Sequence, residues 1–245
     1  PGYYMAVYVG KPAAEFYIRK RVDLRPPLPG NAESAGGKCE TRKVTPFVGG
    51  GMTSFWTPQY GTALMGANWS PLTHHGLVAI KGDNTRWWED YHATTFEIRP
   101  DDLRVGSLTI SGEVEGTAVT YTRRYVLKPD ELVVELELGA TADVNLPRLF
   151  ENIPIASGKR KKRGVTIGVD GERNGRARGK LVTLRDSAGK GVDISFTDKR
   201  EFRVCRTGML SNYRSYQVNR VEVGLPAEMK KGERAALTYT LRPVR

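Results

Sequence analysis

The sequence predicts an all-β protein built as a large antiparallel two-sheet β-sandwich, and three observations carry that prediction. The stretch Val119 to Leu138 alternates: Val119, Tyr121 and Tyr125 share one parity, Lys128-Pro129-Asp130-Glu131 makes a turn, and Leu132, Val134, Leu136 and Leu138 then oppose Glu135 and Glu137 across the strand. No long segment repeats its apolar residues at helical spacing, while 27 Gly and 14 Pro punctuate the chain often. Turn chemistry recurs between the apolar runs, as in Arg99-Pro100-Asp101-Asp102, Asp186-Ser187-Ala188-Gly189 and Lys230-Lys231-Gly232-Glu233. At 245 residues the chain is long enough to bury one large core, so residues 1–245 are read as a single module.

The elements follow in order. Tyr3–Val9 and Glu15–Arg21 open the chain as strands, and Pro26 to Lys43 follows as a long exposed loop because its Pro, Gly and Ser run suits no regular element. Val44–Phe47 is a short strand, and Gly49 to Tyr91 is irregular apart from Leu77–Ile80, whose unbroken apolar run suits a buried strand. Thr94–Arg99, Ser107–Ser111, Val119–Leu127, Leu132–Leu138, Val144–Ile153 and Val165–Val169 are the central strands. Leu181–Arg185, Val192–Phe196, Phe202–Arg206, Ser215–Leu225 and Ala236–Leu241 complete the set. Many short strands between turns indicate a two-sheet sandwich, with more strands than an immunoglobulin-type domain holds.

Charge narrows the partners. The formal net charge of +11, from 38 Lys and Arg against 27 Asp and Glu, favours a polyanion: acidic polysaccharide, nucleic acid or an anionic surface. Nucleic acid is disfavoured, because the basic run Lys159-Arg160-Lys161-Lys162-Arg163 has no interleaved aromatics and reads as a solvated hairpin tip. No apolar run is long enough to span a bilayer as a helix. Cys39 and Cys205 stand far apart with no metal-ligand spacing and are read as two free thiols ahead of one disulfide. The chain opens on Pro1 and enters a strand at Tyr3 without a charged and apolar leader, so it is expected to belong to a longer protein.

All four Trp and all three His fall between Trp56 and His92. Aromatic faces stack on the apolar side of a pyranose and neighbouring polar groups bond its hydroxyls, so Trp56, Arg86, Trp87, Trp88, Glu89, Tyr91 and His92 are candidate substrate contacts, with Tyr213 and Arg214 as a lesser pair. The competing role for each Trp is as a plug of the core. His74 and His75 are the candidate acid or base, one facing inward and one outward if the segment is extended. A satisfied structural histidine is the alternative for either. Such a pair does not ligate one metal together, and no metal site or cofactor is expected. Glu151 is read as a base or sugar contact, or more ordinarily as the partner of a neighbouring Arg.

Tyr-Tyr-Met-Ala-Val-Tyr-Val-Gly at the start, the Gly-rich segment before the aromatic and His-bearing stretch, the Thr-Tyr-Thr-Arg-Arg-Tyr hairpin and Phe-Glu-Asn-Ile-Pro together resemble the C-terminal β-sandwich module of heparinase II/III-like polysaccharide lyases. The resemblance implies a supersandwich preceded by an α/α-toroid, with the active cleft between the two. It implies a lyase that neutralises a uronate carboxylate, abstracts the α-proton and eliminates the 4-linked sugar, with His74 or His75 as the His of the sandwich. It also implies an acidic polysaccharide or oligosaccharide as partner, a missing N-terminal domain, and a secreted or periplasmic location. The alternatives are a non-catalytic carbohydrate-binding or structural module, and a galactose mutarotase-like sugar enzyme, of whose His-bearing loop Thr-His-His-Gly is a faint echo.

Overall fold

Strand after strand, the chain places one parity of residues inside and the other outside. The computed structural model describes residues 2–7, 15–18, 40–43, 50–65, 75–80, 87–89, 92–100, 106–114, 116–156, 165–210 and 217–244. Every regular element among them is a β-strand. These are β1 (Tyr4–Val7), β2 (Glu15–Ile18), β3 (Glu40–Lys43), β4 (Met52–Thr57), β5 (Gly61–Met65), β6 (Gly76–Ile80), β7 (Trp87–Glu89), β8 (His92–Pro100), β9 (Gly106–Glu113) and β10 (Val119–Leu127). There follow β11 (Leu132–Ala140), β12 (Val144–Asn145), β13 (Arg148–Ala156), β14 (Thr166–Val169), β15 (Arg176–Arg185), β16 (Gly191–Leu210), β17 (Gln217–Leu225), β18 (Glu228–Met229) and β19 (Arg234–Val244).

One curled antiparallel sheet runs β1-β4-β5-β13-β17-β16-β19-β11-β10-β9-β8, with β6 and β7 beside β13 and β14 and β15 beside β16. The bend lies in β16. Gly191–Phe196 pairs with β19, whereas Phe202–Cys205 pairs with β17, so this strand passes from one layer to the other. The sheet thereby closes on itself as two layers. Tyr121, Tyr125, Leu132, Val134, Leu136, Leu237 and Leu241 line one inner face, and Phe55, Leu64, Leu149, Ile153, Val221 and Val223 belong to the same buried core.

Several boundaries differ from the sequence expectation. The loop assigned up to Lys43 contains β3, which pairs with β2, and the stretch read as irregular after Gly49 contains the β4–β5 hairpin. Val144–Ile153 is two strands, because Pro147 lacks the N–H that a continuous ladder needs. Val192–Phe196 and Phe202–Arg206 are parts of the single strand β16, since polar residues between them continue along the outer surface. Val44–Phe47 and the basic run at 159–163 lie outside the described residues.

A polar chain ties the two layers together. Arg123 of β10 stands directly between Ile110 and Leu136 in its cross-strand row, and its Nη2 donates to Glu151 Oε2 of β13 at 2.9 Å, both side chains being fully buried. Tyr239 of β19 donates to the other Glu151 oxygen at 3.1 Å. Removing one member of a buried ion pair strands the other in a low dielectric, whereas replacing both by apolar groups does not. Glu151→Leu is therefore expected to cost about 3–5 kcal/mol in urea unfolding. The double variant Arg123→Met/Glu151→Leu should recover most of that loss, and a double variant no more stable than the single one would contradict this reading.

Candidate functional site

The outer face of β13, β17, β16 and β15 forms a groove of about 650 Å³ lined by Arg148, Phe150, Arg173, Arg176, Arg178, Glu201, Arg203, Glu222 and Gly224, among others. Register explains why. Phe150, Gly224, Glu201 and Arg178 form one cross-strand row, and Asn152, Glu222, Arg203 and Arg176 form the next. Because Leu149, Val223, Phe202 and Ala177 point into or against the core, their sequence neighbours must point outward. Gly224 has no side chain to fill the floor, and a Cβ built there would meet only ordinary contacts with Glu201 at 3.5 and 3.7 Å.

The far wall is set by a tight turn. Asn174 and Gly175 have φ of 52° and 76°, and Arg173 and Arg176 exchange backbone hydrogen bonds of 2.8 and 3.0 Å, which is a two-residue Asn-Gly hairpin. The backbone N–H of Val204 donates to the Gly175 carbonyl at 2.7 Å and fixes this tip on β16. A Cβ at Gly175 would lie 3.0 Å from the Val204 oxygen at an unfavourable φ, so glycine is required here. The turn holds Arg173 and Arg176 at the groove. Among the described residues, Arg173, Arg176 and Arg178 have no carboxylate within ion-pair distance.

The near wall is neutralised in part. Glu222 is buried and is approached by Arg148, by Arg220 at 3.0 Å and by Arg203 at 4.0 Å. Burial opposes its ionisation, but Arg220 and Arg148 outweigh that and hold the carboxyl below its ordinary range. The Arg148 guanidinium also lies over the Phe150 ring at 4.9 Å. Five groove arginines against Glu201 and Glu222 leave the face strongly positive. Nearby Cys205 is a buried free thiol, in keeping with the expectation for that cysteine. Burial and Glu222 push its pKa up, which makes it a poor nucleophile. Cys39 lies outside the described residues.

Of the residues singled out in the sequence, His75 and Trp56 are described and do not line this groove. His75 is buried, with Nδ1 accepting from the Met52 N–H at 3.1 Å and Nε2 bonded to Tyr239 Oη at 2.6 Å. Since Nδ1 faces a donor, the neutral ring carries its proton on Nε2 and donates to Tyr239, which in turn donates to Glu151. The Gly-rich approach makes this enclosure possible, because a Cβ on Gly51 would fall 1.9 Å from the His75 carbonyl oxygen. His75 is thus buried with both ring nitrogens hydrogen-bonded. Trp56 lies on β4, 40 % exposed and directly opposite the exposed Tyr4. Trp87, Trp88 and Glu89 form β7, paired with Ile80, Ala79 and Val78, and His92 begins β8. His74, Arg86, Tyr91, Tyr213 and Arg214 lie outside the described residues. Among the described residues no group of His, Cys, Asp or Glu could hold a metal ion.

Glu151, one of whose readings was an Arg partner, is that partner. The groove itself went unrecognised, although Arg173-Asn174-Gly175-Arg176 carries an Asn-Gly hairpin signal flanked by basic residues.

No protein-family model matches the chain, and no curated protein matches it in sequence. Solved structures do resemble it. The heparan sulfate lyase HepC from Pedobacter heparinus superposes with a TM-score of 0.53 at 11% identity, covering 79% of this chain and 30% of that one. A polysaccharide lyase gives 0.55 at 14% identity, covering 83% and 32%. A 4-alpha-glucanotransferase from Thermococcus litoralis gives 0.55 at 12% identity, covering 84% and 36%. At these identities the likeness establishes the fold alone, a large β-sandwich. The chain spans about a third of the length of those proteins.

Burial and the Arg123 charge hold the His75 pKa well below 6.5, so the folded state keeps the ring neutral while the unfolded chain binds a proton near that pH. Its contribution to stability is complete above pH 6.5 and is lost as the pH falls below it. Urea unfolding of the wild type and His75→Gln from pH 7.5 to 5 is expected to show a steeper acid loss for the wild type. Parallel pH profiles would contradict the neutral assignment.

Proposed function

We propose that the chain is the β-sandwich domain of a polysaccharide lyase acting on acidic, uronate-containing glycans by β-elimination, and that its own share is to hold the polyanion in the arginine groove. The observation that carries this reading is the row of arginines Arg173, Arg176 and Arg178, which lack carboxylate partners among the described residues and line a concave surface. Leaving guanidinium groups unpartnered there repels like charge and contributes nothing to packing, but it prepares bidentate bonds for carboxylate or sulfate. In β-elimination the carboxylate must be neutralised before the adjacent C–H proton can be removed. Arginine forks supply that neutralisation.

The enclosure of His75 favours a second reading for the chain taken alone, a binding module whose base comes from another domain. Both readings use the same groove and differ only in what precedes it. The fold shared with about a third of the length of HepC and of a second polysaccharide lyase supports the first.

Titration calorimetry with acidic and neutral oligosaccharides of equal length tests the groove. The acidic ligand is expected to bind more tightly, with the gap shrinking as salt screens charges over a Debye length of about 8 Å at physiological ionic strength. Arg176→Gln/Arg178→Gln should weaken the acidic ligand at least about tenfold, since bonds to charged groups contribute roughly 1.5–3 kcal/mol each, while the melting temperature stays nearly constant because both side chains are exposed. Gly224→Leu should weaken it similarly by filling the floor. Equal affinity for neutral and acidic ligands at low salt would remove the proposal. For the lyase itself, the longer protein should release products absorbing as unsaturated uronates, and hydrolytic products without that absorbance would rule out β-elimination.

A further inference from the structure

Glu222 has more partners than its burial requires. It stands on β17 between Asn152 of β13 and Arg203 of β16 in one cross-strand row. Its Oε1 accepts from Arg220 Nε at 3.0 Å and from the Cys205 thiol at 3.6 Å, and the Arg220 side chain is only 3 % exposed. That is one guanidinium to one carboxylate, so the buried charge is already balanced. The other oxygen, Oε2, accepts from Arg148 Nη2 and has Arg203 Nε 4.0 Å away. These two side chains are 32 % and 39 % exposed and line the groove. One buried carboxylate thus gathers three guanidinium groups, two of them surplus to its neutralisation. Both surplus cations belong to the groove.

Resting on the acidic-glycan reading of the groove, we propose that Glu222 is a positioning residue, which holds Arg148 and Arg203, from the strands on either side of β17, where they meet an anion. A free arginine side chain loses its rotamer freedom when it grips a ligand, whereas one anchored at a single N–H has less to lose and keeps its other donors. Arg148 gives Nη2 to Glu222 and lies 4.9 Å from the centroid of the Phe150 ring, so a hydrogen bond and a ring contact fix it together. Arg203 is drawn to the same oxygen and is the cross-strand partner of Arg176. The opposite assignment makes Glu222 a competitor that occupies guanidinium groups the ligand needs. The two differ in sign: removing a competitor strengthens anion binding, and removing an anchor weakens it. Arg220 favours the anchor, because by balancing Glu222 it leaves the charges of Arg148 and Arg203 uncancelled.

The test titrates a galacturonate tetrasaccharide into the wild type, Arg220→Gln/Glu222→Gln, Arg148→Gln and the triple combination. The paired exchange leaves the net charge unchanged and removes both members of the buried pair at once, which preserves the fold far better than removing one. Its affinity should fall about tenfold, the size of one charge-assisted contact. Arg148→Gln should also cost about tenfold in the wild type but less than about twofold in the exchanged background, because an arginine without its anchor has little left to contribute. A merely structural Glu222 would lower the melting temperature, leave the affinity of the folded fraction in place and make the two effects additive. Glu222→Asp gives a second reading that keeps every charge: one methylene shorter, the carboxylate cannot reach Arg220 and Arg148 together, and binding should weaken several-fold. Unchanged or tighter binding by the paired exchange or by Glu222→Asp, or the same tenfold loss from Arg148→Gln in both backgrounds, would overturn the positioning role and leave the acidic-glycan reading standing. No binding by the wild type would overturn both.

Discussion

Burying Arg123 and Glu151 against each other is the constraint from which the rest of the sandwich follows. A guanidinium placed in the apolar row between Ile110 and Leu136 is tolerable only if a carboxylate from the opposite layer reaches it, and β13 is the strand that delivers one. The remaining carboxylate oxygen is then taken by Tyr239, whose own oxygen is taken by His75, whose second nitrogen is taken by the Met52 N–H. Strands β4, β10, β13 and β19, together with the segment entering β6, are thereby set in relative position by one unbroken chain of hydrogen bonds. Apolar burial drives the closure of the layers, but it is non-directional. The polar chain fixes which residues stand opposite which.

That inner arrangement has an outer consequence. Since side chains alternate across a strand, committing Leu149, Glu151 and Ile153 to the main core commits Arg148, Phe150 and Asn152 to the opposite face of the sheet, as with Arg220, Glu222 and Gly224 on β17, and on that face Phe150, Asn152, Arg220 and Glu222 are themselves covered. The long strand β16, in crossing from one layer to the other, brings β15 and its arginines alongside this face. The groove is therefore the exterior of the same strands whose interior carries the buried pair. A one-residue slip in β13 would both bury Arg148 and expose Glu151, undoing core and groove together.

The all-β sandwich was legible because alternation is a local property, and the hairpin from Val119 to Leu127 and Leu132 to Ala140 shows it without interruption. The partner of Glu151 was half legible: a charged residue among large apolar ones implies an opposite charge, but only the register places Arg123 there. Arg123 shares the parity of Tyr121 and Tyr125, which already marked it as inward. The β4–β5 hairpin was hidden by its glycines and aromatics, which mimic a loop in composition while Phe55 and Leu64 pack in the core. The Trp and His concentration between Trp56 and His92 pointed to a sugar surface, yet His75 proves to be a core residue. The groove was invisible because its residues come from 148, 176, 203 and 224, and no local pattern reports a juxtaposition made by three strand pairings.

The central claim is that the positive face of β13, β17, β16 and β15 meets the acidic ligand. Nitrogen–proton spectra of the arginine side chains, recorded while a sulfated uronate oligosaccharide is added, test it most directly. The account predicts that the Nε–Hε signals of Arg176, Arg178 and Arg203 move in step with occupancy, while those of Arg123 and Arg220, engaged in buried ion pairs, stay in place. Unmoved groove arginines, with shifts confined to the Trp87 and Trp88 indole signals, would contradict it.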